Sequence, residues 1–312
     1  MKAKIIGQLG DYEIKQLKVF KAVVECGGFS AAEAQLNIAR PTISVHIANL
    51  ESRLSLTLCK RGRGGFALTE EGAVVYNQTC QLLSVLDDFR NTVNNLSASP
   101  AGQLRIALSD TFSTDERIRL DQIIANYRKL APNVELHVTV ERMVEMEQRV
   151  LNGELDVGFI PYHRCLDGLE YIHLFTDHCQ LYCGHKHPFF QLAQRDISDE
   201  MLNQAALIHA GLQPHEAVFK QLKDMHLAAV SYHYEARIAM ILSGQYIAFL
   251  PEKIAEPYVQ TKRLKVIAKK SKYYQLGAAV ISRKGLSADR AKSLFLACVR
   301  EEHPQDADAA PY

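Results

Sequence analysis

FSAAEAQLNIARPTISVHIANLESRLSLTLCKRGRGGFALTEEG, residues 29–72, carries a geometry that points to a partner, and the rest of the chain is arranged around it. Ser30 followed by Glu33 predicts a capping box, serine oxygen and glutamate satisfying free backbone donors at a helix start. Phe29, Ala32 and Leu36 then share one side. After a break at residues 37–39, Pro41 suits a first helical turn, where its missing N–H costs nothing. Ile43, Ile47, Leu50 and Leu54 follow at helical spacing, so two short helices joined by a tight turn are expected.

Burying that stripe leaves Arg40, Pro41, Thr42, Ser44, Val45, Ala48, Asn49 and Ser52 facing outward or at the leading end. Side chains this short let a helix enter a DNA major groove, about 12 Å wide, and read base edges. The plainer alternative is a solvated helix face. Beyond it Arg53, Lys60, Arg61 and Arg63 meet no acid before Glu70, and the glycines of RGRGG suit a hairpin tip. Such a wing reaches for phosphate or the minor groove. RGRGG lacks the preceding strand and the Lys-Ser/Thr ending of a phosphate-binding loop.

The whole chain of 312 residues is 47% hydrophobic and 23% charged, with a net charge of +1, which fits two or three soluble units. Near-neutrality argues against a general polyanion binder, so nucleic-acid affinity needs a local patch. Between residues 36 and 66, five basic residues face the single acid Glu51, a local balance of +4 that coincides with the helix pair. Seven cysteines without paired spacing predict no disulfide framework. No long apolar run or leader signature is present, so a cytoplasmic protein without a membrane partner is expected. Residues 1–10 read as a loose arm. Residues 11–26 read as the first helix, with Ile14, Leu17, Phe20 and Val24 inward, ended by Gly27 and Gly28.

Past the wing, Val75, Leu82, Leu86, Phe89, Val93 and Leu96 alternate by fours and threes, with Thr79 at the weak place. Residues 70–97 are therefore expected to form a rod of roughly 42 Å whose seam pairs with a second copy. The alternative is a stripe lying on the chain's own core. Residues 97–102, SASPAG, break the helix. From residue 103 strands and helices alternate: QLRIALS, a helix at 117–130, VELHVTV, a helix at 143–152, and DVGFI. Strands at 169–175, 180–183, 205–209, 228–232, 247–250 and 275–282 follow, with helices at 215–222, 235–243 and 287–300. This alternation argues for a parallel sheet with helices on its faces.

LKVFKAVVECGGFSAAEAQL, ARPTISVHIANLE and the RGRGGFALTEEG wing together resemble the LysR-type transcriptional regulators, and the likeness runs on more loosely to about residue 300. It implies an α/β multidomain chain: an N-terminal winged helix-turn-helix (11–69), a long dimerisation linker helix (70–97) and a C-terminal effector domain (102–300), with 301–312 a disordered tail. The effector domain would be two-lobed and like a periplasmic binding protein. NGELDVGFI and SGQYIAFLP resemble its recurring segments, with lobe I at 102–160 plus 271–300 and lobe II at 161–270. The crossings are expected near 160–162 and 267–271.

By the same resemblance Arg40, Pro41, Thr42, Ser44 and Val45 take base-reading and phosphate-touching positions, with Arg63 in the wing; Asn49, Arg53 and Arg61 extend the patch. Val45 stands where a basic residue is common and Arg40 where glutamine is common, so base preferences do not carry over. The implied partners are double-stranded DNA with a two-fold operator, a homodimer or homotetramer, RNA polymerase and a small-molecule effector whose identity the residues do not give.

Ligands of open α/β sheets sit beyond strand carboxyl ends. The first such end is Ser109-Asp110-Thr111-Phe112-Ser113, where Ser109, Thr111, Phe112 and Ser113 are the candidate ligand contacts and equally suit helix capping. The other lobe offers His209, Ala210 and Phe249, and Tyr162 is expected to line the hinge. Residues 162–187 also gather His163, His173, His178, His185, His187, Cys165, Cys179 and Cys183, an alternative sensor of oxidants or metal. Against it, i and i+4 on a strand lie roughly 13 Å apart, and His187-Pro188 falls where the family commonly has that pair. No metal site or cofactor is assigned. No GxSxG, HExxH or GxGxxG marks catalysis, so the chain reads as no enzyme. An α/β solute binder or enzyme carrying the helix pair for protein contacts is a third reading, which the basic wing disfavours.

Overall fold

The computed structural model describes residues 8–62, 65–94, 100–162, 164–211, 216–285 and 289–304. The chain divides into two compact units, residues 1–98 with 152–154 and residues 99–151 with 155–312.

In the first unit α1 (Asp11–Glu25), α2 (Phe29–Leu36) and α3 (Arg40–Leu54) precede a hairpin, β1 (Cys59–Gly62) with β2 (Gly65–Leu68), and then α4 (Glu70–Asn94). Phe20, Val23, Ile43, Ile47, Leu50 and Leu58 form its core. Gly28 at φ +150 turns the chain from α1 into α2, a backbone angle that side chains rarely tolerate. The expected capping box does not form. Gly28 is the N-cap of α2, and the Glu33 carboxylate reaches forward to accept the Arg40 backbone N–H at 2.9 Å. Tertiary closure of the turn claims the side chain that local spacing assigned to the helix start. Glu51, the one acid of the basic stretch, accepts the N–H groups of Leu58 and Cys59 at 2.7 and 3.2 Å and so fixes the wing to α3.

Thr69 caps α4: its Oγ1 accepts the Gly72 N–H at 2.8 Å and donates to the Thr57 carbonyl at 2.6 Å. A Cβ at Gly72 would lie 2.0 Å from the Leu58 oxygen, which explains the one glycine of this helix. The expected seam is divided. Val75, Tyr76 and Leu82 pack on the unit's own core, whereas Leu86, Phe89 and Val93 are exposed. Leu96 and the wing-tip Arg63 lie outside the described residues, as do residues 1–7 and 305–312 of the expected arm and tail.

In the second unit the order is β3 (Ala101–Leu108), α5 (Leu120–Leu130), β4 (Asn133–Val140), α6 (Met143–Leu151), β5 (Val157–Tyr162) and β6 (Leu169–Gly184). Then come α7 (Asp199–Gln204), β7 (Leu207–His209), α8 (Glu216–Leu222), β8 (Leu227–Val230), α9 (Tyr234–Leu242) and β9 (Ile247–Pro251). α10 (Glu252–Gln260), β10 (Leu264–Val266), β11 (Tyr273–Arg283) and α11 (Arg290–Glu302) complete it. The described strands form one sheet in the order β4-β3-β5-β11-β6-β9-β7-β8, with β10 on β6. β3, β4 and β5 are mutually parallel, as are β7, β8 and β9. These two parallel halves are the lobes, joined by the antiparallel pair β6 and β11. α11 returns to the first lobe, where Phe295 meets Tyr127 and Phe159 edge-on.

Three expectations change. Residues 169–175 and 180–183 belong to a single strand, because the polar run Thr176-Asp177-His178 is held by register with β11 and by an ion pair from Asp177 to Arg117 at 2.6 Å. The lobe crossings consequently lie in β6 and in β11, which follows residues 267–271, and not at 160–162, where β5 still pairs within the first lobe. The helix expected from 117 is interrupted: Glu116–Ile118 is a 3-10 turn capped by Asp115, Arg119 takes φ 54°, and α5 starts at Leu120.

Candidate nucleic-acid interface and effector cleft

On α3 the residues Arg40, Pro41, Thr42, Val45, Ala48 and Asn49 are exposed and Ser44 is half-buried. Val45 is 56% exposed, so the helix presents an apolar methyl pair at the middle of this face. His46 turns inward with Ile43, Ile47 and Leu50. Two residues assigned to the patch are also held by the fold. Asn49 Nδ2 donates to the Tyr12 hydroxyl at 3.1 Å. Arg53 pairs with Glu13 at 3.1 Å and donates to the Gln8 carbonyl, so the acid missing from its own stretch is supplied by α1. Arg61 lies on β1 opposite Phe66. The side chain of Arg61 and all of Arg63 lie outside the described residues.

In the second unit a cavity of about 420 Å³ opens between the lobes. Ser109 and Asp110 after β3 line it from one lobe; His209 and Ala210 after β7, Phe249 on β9, and the turn and helix holding Tyr232, Tyr234 and Arg237 line it from the other. Its walls are mostly apolar, with Met143, Leu222, Met225 and Leu276 among them. Asp110 ties the lobes directly, since its Oδ2 meets His233 Nδ1 at 3.2 Å and the Tyr234 N–H at 3.4 Å. The Tyr232 hydroxyl accepts the Met143 N–H at 2.9 Å, a second link between them. Burial raises the Tyr232 and Tyr234 phenols above the ordinary tyrosine value, so both stay protonated donors at neutral pH.

Of the residues expected here, Ser109, His209 and Phe249 line the cavity. Phe112 packs into the first lobe's core beside Phe175, with ring centroids 6.4 Å apart. Ser113 is exposed, its Oγ donating to the Asp110 carbonyl at 3.3 Å. The side chain of Thr111 lies outside the described residues. Tyr162 is buried away from the cleft: its hydroxyl meets His173 Nδ1 at 2.8 Å and its ring fills the space over Gly277, where a Cβ would come within 2.5 Å. Lys223, Tyr232, Tyr234 and Arg237 are not among the residues that the sequence singles out, and Asp110 stands in the selected strand end without a role assigned to it. The strand-end rule that selected residues 109–113 points equally to the segment after β8, where three of these residues stand.

Among the described residues the histidines and cysteines of residues 162–187 do not converge on a metal site, and Cys165 is exposed. Cys179 and Cys183 are fully buried along β6; burial pushes the Cys179 thiol far up and that of Cys183 to about 11. His173 is bonded to Tyr162, and His187 Nδ1 accepts the Phe189 N–H at 3.2 Å. His178 and His185 are exposed, and His163 lies outside the described residues. Among the described residues, metal-competent groups gather at Asp110, His233 and Glu235, two of them exposed, with Asp110 and His233 already hydrogen-bonded. No helix among the described residues is long and apolar enough to cross a membrane.

Residues 14–73 match the family described as bacterial regulatory helix-turn-helix protein, lysR family, and residues 97–304 match the LysR substrate binding domain. The HTH-type transcriptional activator BauR of Pseudomonas aeruginosa is 36% identical over 295 residues, which cover 94% of this chain and 96% of BauR. A full-length OxyR variant from Pseudomonas aeruginosa shares the fold at a TM-score of 0.61 and 19% identity, over 98% of this chain and 100% of its own. The LysR family regulator CbnR does so at 0.60 and 20% identity, over 93% of this chain and 99% of its own. The chain therefore belongs to the LysR family: it is a DNA-binding transcriptional regulator with a winged helix-turn-helix and a two-lobed α/β substrate-binding domain.

Proposed function

We propose that this regulator works as a dimer, tied by the exposed half of α4, that presents two α3 helices to a two-fold operator and responds to a small molecule between the lobes. The observation that carries the DNA half is the outer face of α3, short and uncrowded around Val45, beside the basic wing. CbnR, of the same fold, has been solved in complex with its target DNA, which supports docking through this unit. Exposed Leu86, Phe89 and Val93 support pairing through α4. Apolar residues at both sheet edges, Val138 and Val140 on β4 and Leu227 and Val230 on β8, support further pairing of the sensor domains into a tetramer. The effector half rests on the cavity and on Asp110, whose bonds across it make lobe closure sensitive to what fills the space.

In this reading a filled cleft changes the spacing of the DNA-binding pairs and thereby access for RNA polymerase in the cytoplasm. Similarity to an activator favours positive control. Selection of random duplexes by the purified full chain should return a site with two-fold symmetry, and removal of residues 1–70 should abolish retardation of that site. Recovery of asymmetric sites, or retention of binding after the deletion, overturns the proposal.

A further inference from the structure

Arg237 is 4% exposed and lines the interlobe cavity, yet no carboxylate lies within 4.0 Å of it among the described residues. A guanidinium has five N–H donors and no way to lose its charge in a protein. Nη1 donates to the Phe249 carbonyl at 3.1 Å, and Nη2 donates to the Ser231 and Tyr232 carbonyls at 2.6 and 3.4 Å. Nε is buried with no hydrogen-bond partner at all. The Tyr234 ring, 5.1 Å from the guanidinium carbon, supplies a cation–π contact and no counter-charge. Buried charges are ordinarily paired, because removing a lone ion from water is costly. Asp110 does not fill this role, as its carboxylate is taken by His233 and the Tyr234 N–H.

Two further groups favour an anion. His209 Nδ1 accepts the Gly211 N–H at 3.2 Å, which in the neutral ring places the proton on Nε2 and makes that nitrogen a donor on the cavity wall. Lys223 stands exposed on the cavity lining. The rest of the wall, Ile208, Met225, Phe249 and Leu276 among it, asks for an apolar body. We infer that the cleft ligand is a small organic carboxylate with an apolar body, its carboxylate drawn to the uncompensated Arg237 guanidinium and its body lying against Phe249 and Leu276. This rests on the reading of the cleft as the effector site. It adds the ligand's charge and the residue that reads it.

The chain has no tryptophan, so binding is best followed from the ligand side, by saturation-transfer NMR on the full-length protein. Benzoate, phenylacetate and hexanoate are titrated beside benzamide, phenylacetamide and hexanamide, which keep the shape and lack the charge. At least one carboxylate should bind, with its amide weaker by about tenfold or more, as expected for a lost charge-assisted hydrogen bond. Ala210→Phe, which fills the cavity and leaves Arg237 untouched, should abolish that binding, and Arg237→Gln should erase the preference over the amide. Should Arg237→Gln fail to fold because three carbonyls lose their donor, the wild-type pair and Ala210→Phe still decide. Amides that bind as well as carboxylates and are expelled by Ala210→Phe leave the cleft reading standing and overturn the anion. Carboxylate binding indifferent to Ala210→Phe lies elsewhere and overturns it too, as does failure of all six compounds at millimolar concentration.

Discussion

Arg53 and Val45 stand eight residues apart on one helix, but the fold gives them different work. Arg53 is committed to Glu13 and to the Gln8 carbonyl, contacts that brace α1 against α3. Solvent-screened pairs of this kind contribute little to stability. Arg53→Ala should therefore lower the melting temperature slightly and leave the salt dependence of operator binding unchanged; a slope reduced by about one charge would place Arg53 on phosphate instead. Val45 has no such commitment. A valine in the groove packs on a thymine methyl and cannot donate to guanine, so Val45→Arg should move the selected site toward guanine at one position of each half. Selection returning the original site would mean that Val45 does not face bases.

Among the elements, α4 serves two surfaces. Its first half is core, with Val75, Tyr76 and Leu82 packed under the wing, and its second half offers Leu86, Phe89 and Val93 to solvent. Phe89 is 67% exposed, so Phe89→Asp should leave the single chain folded while placing a carboxylate inside the proposed seam, where an unpaired charge costs several kcal/mol. Sedimentation should then find monomers with native circular dichroism and little operator affinity; an intact dimer would mean that α4 does not hold the copies together. Leu82→Asp, by contrast, should unfold the winged unit, because that side chain packs against its core.

For the whole molecule, β6 and β11 carry the chain between lobes, and the bonds made by Asp110 and by the Tyr232 hydroxyl cross the cleft they frame. In the proposed reading such a sensor responds to what enters the cleft, and Cys179 and Cys183, both buried along β6, are poorly placed to respond to oxidants. With its thiol raised to about 11, Cys183 is a thiolate in roughly one molecule in ten thousand at pH 7, and Cys179 lies higher still. Cys179→Ser and Cys183→Ser should leave a reporter's response to peroxide as it is in the wild type. Loss of a peroxide response in either variant would restore the thiol switch.

The helix pair, the wing and the βα alternation were legible in the chain because each is decided locally: apolar residues at helical or strand period, Pro41 in a first turn, glycines where the chain doubles back. Those same local rules divided β6 in two, since three polar residues break a period and only pairing with β11 and the Arg117 ion pair restores the strand. They gave Glu33 to the wrong helix end and left Arg53 without its partner on α1, because Arg40 and Glu13 reach them only once three helices have packed. At the cleft, strand-end position selected Ser109 and His209, yet it could not separate Phe112, which packs inward, from Asp110, which faces the other lobe. Periodicity, turn chemistry and charge balance act within a few residues and so were determined by the sequence. The partner of each polar group, and with it the vacant Nε of Arg237, was decided by contacts between residues far apart in the chain.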